Sequence, residues 1–200
     1  LDLLLEPFGT SSEQTGYRFD QALKAQHPNT PWLVIDYLSA EDWIESFHLG
    51  NSICPSSGHK TSYFYPGFTD RTGGLIHCDY PAPLKNNRQL NLAEGLRLFV
   101  FSYHDAPWRA LLEWAAQRES SEPPVTIGMA GKQSQIAKIR GVSWLPFCGQ
   151  TEFDDLLAQY DVLFVRGEDS FVRAQLAGLP LIWQIYATGD NAHKEKLAHF

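Results

Sequence analysis

The chain has 200 residues, with 16 basic and 23 acidic side chains and a formal net charge of −7. Its 44% apolar and 13% aromatic content excludes a disordered chain, because that much burial offsets the entropy of ordering. The acidic balance excludes a general nucleic-acid binder, which needs a clustered Lys/Arg face, and no apolar run reaches the roughly 20 residues of a membrane span.

In chain order, residues 3–5 and 32–37 have the composition of strands, with a helix near residues 19–25 between them. Residues 39–42 fit a capping pattern ahead of Trp43 and Ile44. Residues 50–75 are expected to be loop, given Pro55, Gly58, Pro66, Gly67, Gly73 and Gly74, with Tyr63, Phe64, Tyr65 and Phe68 inside it. Residues 79–94, holding Pro81, Pro83 and Asn86-Asn87, form a plausible inter-domain connection. The expected division is a first unit with its linker over residues 1–85 and a second unit over residues 86–200.

The second half alternates more regularly. Residues 97–103 are rich in strand formers, and Trp108, Leu111, Leu112 and Ala115 then follow the i, i+3, i+4, i+7 spacing of an amphipathic helix. Asp105 is a fair N-cap, with Pro107 in the first turn. Strands are expected at 125–130, 142–147, 161–166 and 180–186. A helix carrying Phe153, Leu156, Leu157 and Tyr160 follows the third of the five strands. Ser170 is expected to cap the next helix, and Gly178 to end it in the left-handed conformation. Strands that alternate with helices need crossover connections, and so predict a mainly parallel, Rossmann-like α/β unit from about residue 95.

Both chain ends have the character of cuts through a longer protein. Leu1 opens an apolar run without Met or a signal-peptide pattern, and residues 191–200 read as a helix without a stop signal. Cys54, Cys78 and Cys148 are odd in number and far apart, which fits neither a disulfide framework nor a zinc pair. A reducing, cytoplasmic compartment is therefore expected. The seven histidines show no metal-ligand spacing, so no metal is expected.

The chemistry concentrates at Arg166-Gly-Glu-Asp-Ser-Phe171, where a strand gives way to a helix. That is the carboxyl edge at which open α/β sheets bind ligands. Gly167 allows the turn, the helix end favours phosphate, and Arg166 supplies a cation. Glu168 and Asp169 would repel a phosphate beside them, so a ligand with phosphates and hydroxyls fits best, such as a nucleotide-sugar. The alternative is structural: Arg166 pairs with Asp169 or Glu168 on a solvated loop, and Ser170 merely caps. Phe101 and Tyr103 share one face of a strand, and Phe147, Gln150 and Phe153 surround another strand-to-helix turn. These rings suit a base, with Gln150 at its edge, although Phe153 also occupies a core position on its helix. Gly128-Met-Ala-Gly131 lacks G-x-G-x-x-G, and no P-loop motif occurs.

The run Arg166-Gly-Glu-Asp-Ser-Phe-Val-Arg-Ala-Gln-Leu-Ala-Gly178, continuing into Pro180, Trp183, Ile185-Tyr186 and Asn191-x-His193, resembles the EarP family. These are the protein-arginine rhamnosyltransferases that mature bacterial elongation factor P. Further matches lie at residues 37–41, at His48-Leu49, Gly67-Phe68, residues 73–76, residues 101–103, and Pro146-Phe147 with Gln150 and Phe153. They cover essentially the whole chain, but only about the middle half of such an enzyme.

The resemblance implies a GT-B fold, with two Rossmann-like domains facing a cleft, the first incomplete here. It also implies metal-free, inverting transfer of rhamnose from dTDP-β-L-rhamnose to one arginine of elongation factor P. By matching position, Phe101, Phe147 and Phe153 would build the thymine pocket and Gln150 would contact the nucleotide. Tyr103, Arg166, Asp169, Ser170 and Tyr186 would hold ribose and diphosphate, and Glu168 would be catalytic, nearest the reacting sugar. The general base would be an aspartate in a Gly-rich motif upstream of Leu1, and a fragment without it is expected to be inactive. Two other readings are a transferase for another nucleotide-sugar and a non-catalytic nucleotide-sugar-binding module.

Overall fold

The computed structural model describes residues 2–7, 19–36, 38–55, 57–77, 91–102, 108–118, 121–131, 139–189 and 191–200. The chain divides into two compact units, Leu1–Cys78 with Ala187–Phe200, and Asp79–Tyr186. The expected boundary near residue 85 falls outside the described residues. The grouping of Ala187–Phe200 with the first unit differs from the expected 86–200 span.

The first unit holds β1 (Leu4–Pro7), α1 (Phe19–Gln26), β2 (Trp32–Ile35), a 3₁₀ turn (Asp42–Ser46), β3 (Asn51–Ile53) and β4 (Lys60–Phe64). Its sheet runs β1-β2-β4-β3, parallel except for the antiparallel β3–β4 pair. Two strands thus lie where the sequence read as loop. Lys60–Phe64 is short and opens on three consecutive polar residues, Lys60-Thr61-Ser62, and its partners are β2, far back in the chain, and the nearby β3. The pairing with β2 is non-local and outweighs the flanking Pro and Gly. Tyr65 is buried rather than loop-exposed. Trp32 anchors this core: its indole N–H donates to Glu6 at 2.8 Å, and the Lys24 ammonium sits 4.2 Å from its ring centroid. The last helix of the chain, Ala192–His199, belongs here too, with Lys196 3.8 Å from Glu41 and Phe200 edge-on to Phe68.

The second unit contains β5 (Leu96–Ser102), α2 (Arg109–Ala116), β6 (Val125–Gly131), β7 (Val142–Trp144), α3 (Gln150–Leu157), β8 (Val162–Arg166), α4 (Asp169–Ala177) and β9 (Leu181–Gln184). Every strand pair in this unit is parallel, in the order β7-β6-β5-β8-β9. The chain thus builds outward from β5 in one direction, then returns to build outward in the other. Helices cover both faces, which explains the near-continuous apolar runs of β5 and β8. Leu98 and Val100 join Trp108, Leu112, Ile127 and Met129 in a core cluster. Phe99 turns the other way, edge-on to Phe153 at 5.6 Å and tilted against Tyr160 at 5.4 Å. Period-2 alternation then puts Phe101 on the Phe99 side, one step nearer the carboxyl edge.

At the amino edge, Asp161 accepts from the Arg97 backbone N–H at 2.8 Å and from its guanidinium at 2.8 and 3.1 Å. The hydrogen bond that Arg97 donates to Asp161 holds the Arg97 pKa above its usual value. This contact ties β5 to β8 at one end of the sheet.

Candidate functional site

The site follows from strand order. Where a parallel sheet reverses its winding, the helices beyond the two central strands leave on opposite faces and a crevice opens at the carboxyl ends. In this unit that switch point lies between β5 and β8. A pocket of about 350 Å³ lies in this unit, lined by Phe101 of β5 and by Arg166 at the end of β8. Phe147, Cys148, Gln150 and Phe153 line it from the β7–α3 corner and α3. Gly167, Glu168, Asp169, Ser170 and Arg173 line it from the β8–α4 turn and α4, and Tyr186 from beyond β9. Nine of the ten residues singled out from sequence meet there, and the tenth, Tyr103, lies outside the described residues.

The aromatic wall combines packing with exposure. Phe153 touches buried Phe99 on one side and Phe101, at 6.1 Å, on the other, so it is a core residue and a pocket residue at once. Phe147 has a relative exposure of 102%, a position that forfeits about 1.5–3 kcal/mol of possible burial. α3 starts at Gln150. The Gly149 N–H donates to Glu152 at 3.0 Å, one half of a capping box. Gln150, the first residue of α3, thus lines the pocket.

The polar end is built by the turn between β8 and α4. Gly167 has φ +83°, and a Cβ there would lie 3.0 Å from the Tyr186 ring, so both conformation and space call for glycine. Its carbonyl accepts from the Trp183 indole at 2.9 Å, and Trp183 stacks on Phe171 with centroids 3.7 Å apart. The turn is therefore pinned from the core. The Arg166 guanidinium lies 5.0 Å over the Tyr186 ring, within cation–π range. α4 begins at Asp169, with half-buried Glu168 in the N-cap position. The first intrahelical bond runs from Val172 N–H to the Glu168 carbonyl, so the backbone donors of the first turn face the pocket end.

Two details of the turn differ from expectation. Ser170 does not cap the helix: it sits inside α4, buried, and its hydroxyl donates to the Arg166 carbonyl at 2.5 Å. A serine within a first turn bonds backward to a preceding carbonyl as readily as it caps. Asp169 pairs with Arg173, whose Nε donates to it at 3.0 Å, while Arg173 Nη1 reaches both Asp154 oxygens at 2.8 and 2.9 Å. Burial lowers the Arg173 pKa, but the bonds to Asp154 and Asp169 outweigh it, and the net shift is upward. Arg173 and Cys148 are the pocket residues that the sequence did not assign to the site, and Arg173 is the charged one. Its signal was the i, i+4 spacing from Asp169. Gly178 closes α4 with φ +65°, as expected.

Among the described residues, no three His, Cys, Asp or Glu side chains stand close enough to hold a metal ion. Among them, too, no helix is long and apolar enough to cross a membrane.

The model of the family described as Elongation-Factor P (EF-P) rhamnosyltransferase EarP matches residues 2–200. The chain belongs to the EarP family. A protein-arginine rhamnosyltransferase of Pseudomonas putida is 36% identical over 211 aligned positions, covering 90% of this chain and 55% of that protein. That of Neisseria meningitidis serogroup B is 36% identical over 200 positions, covering 84% and 50%. The Pseudomonas aeruginosa protein is 29% identical and covers 100% and 60%. The chain thus spans about half the length of the curated EarP relatives it matches. A solved structure addressing EarP-mediated arginine glycosylation of translation elongation factor EF-P aligns with a TM-score of 0.50 at 23% identity, over 98% of this chain and 76% of that one. The fold is therefore α/β, shared with that structure.

Proposed function

We propose that this chain is the donor-holding portion of an inverting transferase that moves rhamnose from dTDP-β-L-rhamnose to an arginine side chain of elongation factor P. The observation that carries this reading is the pocket itself. One unit places an aromatic wall, a cation and a helix N-terminus around a single crevice of about 350 Å³.

In this reading thymine stacks among Phe101, Phe147 and Phe153, with Gln150 at its edge. Arg166, Tyr186 and the first turn of α4 hold ribose and diphosphate, together with Tyr103, Asp169 and Ser170. Glu168, at the head of α4, lies beside the sugar. A guanidine nitrogen of the acceptor attacks the anomeric carbon from the face opposite the diphosphate. The C–N bond forms as the C–O bond breaks, and the bonding pair leaves with dTDP. Guanidinium is protonated at any physiological pH, so a carboxylate must orient it and take one proton as the bond forms. Arg166 and the α4 end stabilise the charge that grows on dTDP. The reading assigns no metal, and its reducing, cytoplasmic setting rests on the cysteine usage.

The test is a donor panel with full-length protein carrying this sequence, scored by the mass of elongation factor P. The expected outcome is gain of one deoxyhexose from dTDP-rhamnose, mapped to arginine. Transfer from a different nucleotide-sugar, or none from dTDP-rhamnose, overturns the assignment.

A further inference from the structure

We propose that Arg173 is a positioning residue for the donor: it cancels the Asp169 and Asp154 carboxylates so that a diphosphate can settle at the head of α4. The inference rests on the nucleotide-sugar reading above.

Glu168 and Asp169 line the polar end of the pocket, and Asp154 stands directly behind it through Arg173. Three carboxylates there meet two guanidinium groups, Arg166 and Arg173. A diphosphate adds further negative charge, so loss of either arginine leaves carboxylates facing phosphates. Arg173 has the geometry to prevent this. It reaches both Asp154 oxygens and Asp169 at once, from a side chain only 19% exposed. A lone surface pair with Asp169, itself 73% exposed, would contribute little. The same guanidinium spans α3 and α4, so the element carrying Gln150 and Phe153 is tied to the one carrying Glu168 to Ser170. A fixed planar fork suits this double role better than a flexible ammonium, but charge cancellation needs only the cation.

Those two roles separate in a titration of the chain with dTDP and with uncharged thymidine. In Arg173→Met, dTDP is expected to bind about tenfold more weakly while thymidine changes less than about threefold. Adding Asp154→Asn to Arg173→Met removes the carboxylate left uncovered behind the pocket and restores much of the lost dTDP affinity. Arg173→Lys stays within about threefold of wild type for dTDP. Equal losses for dTDP and thymidine, or no rescue by Asp154→Asn, overturn the proposal in favour of a purely structural arginine. Should Arg173→Met fail to fold, Arg173→Lys decides, and a tenfold loss in that variant contradicts charge cancellation. If wild type binds dTDP and Arg173→Met binds it equally well, this inference alone fails. Absence of dTDP binding by wild type removes the nucleotide-sugar reading and this inference with it.

Discussion

The middle of the second sheet and its carboxyl edge are made of similar residues put to opposite uses. In the middle, Phe99, Val100, Leu163 and Val165 are fully buried and packed on both faces. At the edge, Phe101, Phe147 and Tyr186 are equally aromatic or apolar, yet they stand around a crevice, and Phe147 is wholly exposed. Phe99 and Phe101 share one strand face two residues apart, and Phe153 touches both. What separates scaffold from site is not residue type but distance along the strand from the switch point.

The sharpest way to break this comparison is to truncate one phenylalanine of each kind. Phe99→Ala is expected to cost roughly 3–5 kcal/mol of stability, read as a fall in denaturation midpoint, because it empties a packed interior position. Glu168→Ala in full-length protein is expected to lower turnover at least about 100-fold with stability almost unchanged, since the group is half-buried and acts at the edge. Near-wild-type turnover would remove Glu168 from the catalytic role. Phe147→Ala is the counterpart of Phe99→Ala. It should weaken dTDP binding by about 1–3 kcal/mol, the usual worth of one base–aromatic stack, while stability moves by less than about 0.5 kcal/mol. A large stability loss there would make Phe147 a packing residue and blur the distinction.

The smallest effect concerns pH. Burial raises the pKa of Tyr160, packed against Phe99, with Arg97 pulling weakly the other way. The folded state thus holds this phenol neutral where the unfolded chain, with its ordinary value near 10, ionises. The stabilisation is complete below about pH 10 and is lost as pH rises through the folded value. Tyr160→Phe is expected to flatten the fall in Tm as pH rises above about 10. An identical slope in the variant would contradict it.

Legibility followed the same division. The strands of the second unit were readable because a doubly covered parallel sheet demands continuous apolar runs, and residues 97–102 and 162–166 supply them. The pocket residues were readable because they cluster at strand ends, and Arg166 to Ser170 form a specific block. The β3–β4 pair was not, because both strands are short and polar and β4 takes its other partner, β2, from far back in the chain. Nor does sequence show which acidic residue an arginine selects. Asp169 was weighed against Arg166, and the structure gives it to Arg173, one helical turn away. The Ser170 hydroxyl was equally ambiguous, since a cap and a backward bond use the same residue in nearly the same place.

The central claim is that the carboxyl edge of the second unit is a nucleotide-diphosphate site, and a crystal structure of the chain with dTDP tests it most directly. The predicted result is thymine among Phe101, Phe147 and Phe153, with the diphosphate between Arg166 and the first turn of α4. Nucleotide bound elsewhere, or seated with its phosphates away from α4, would contradict it.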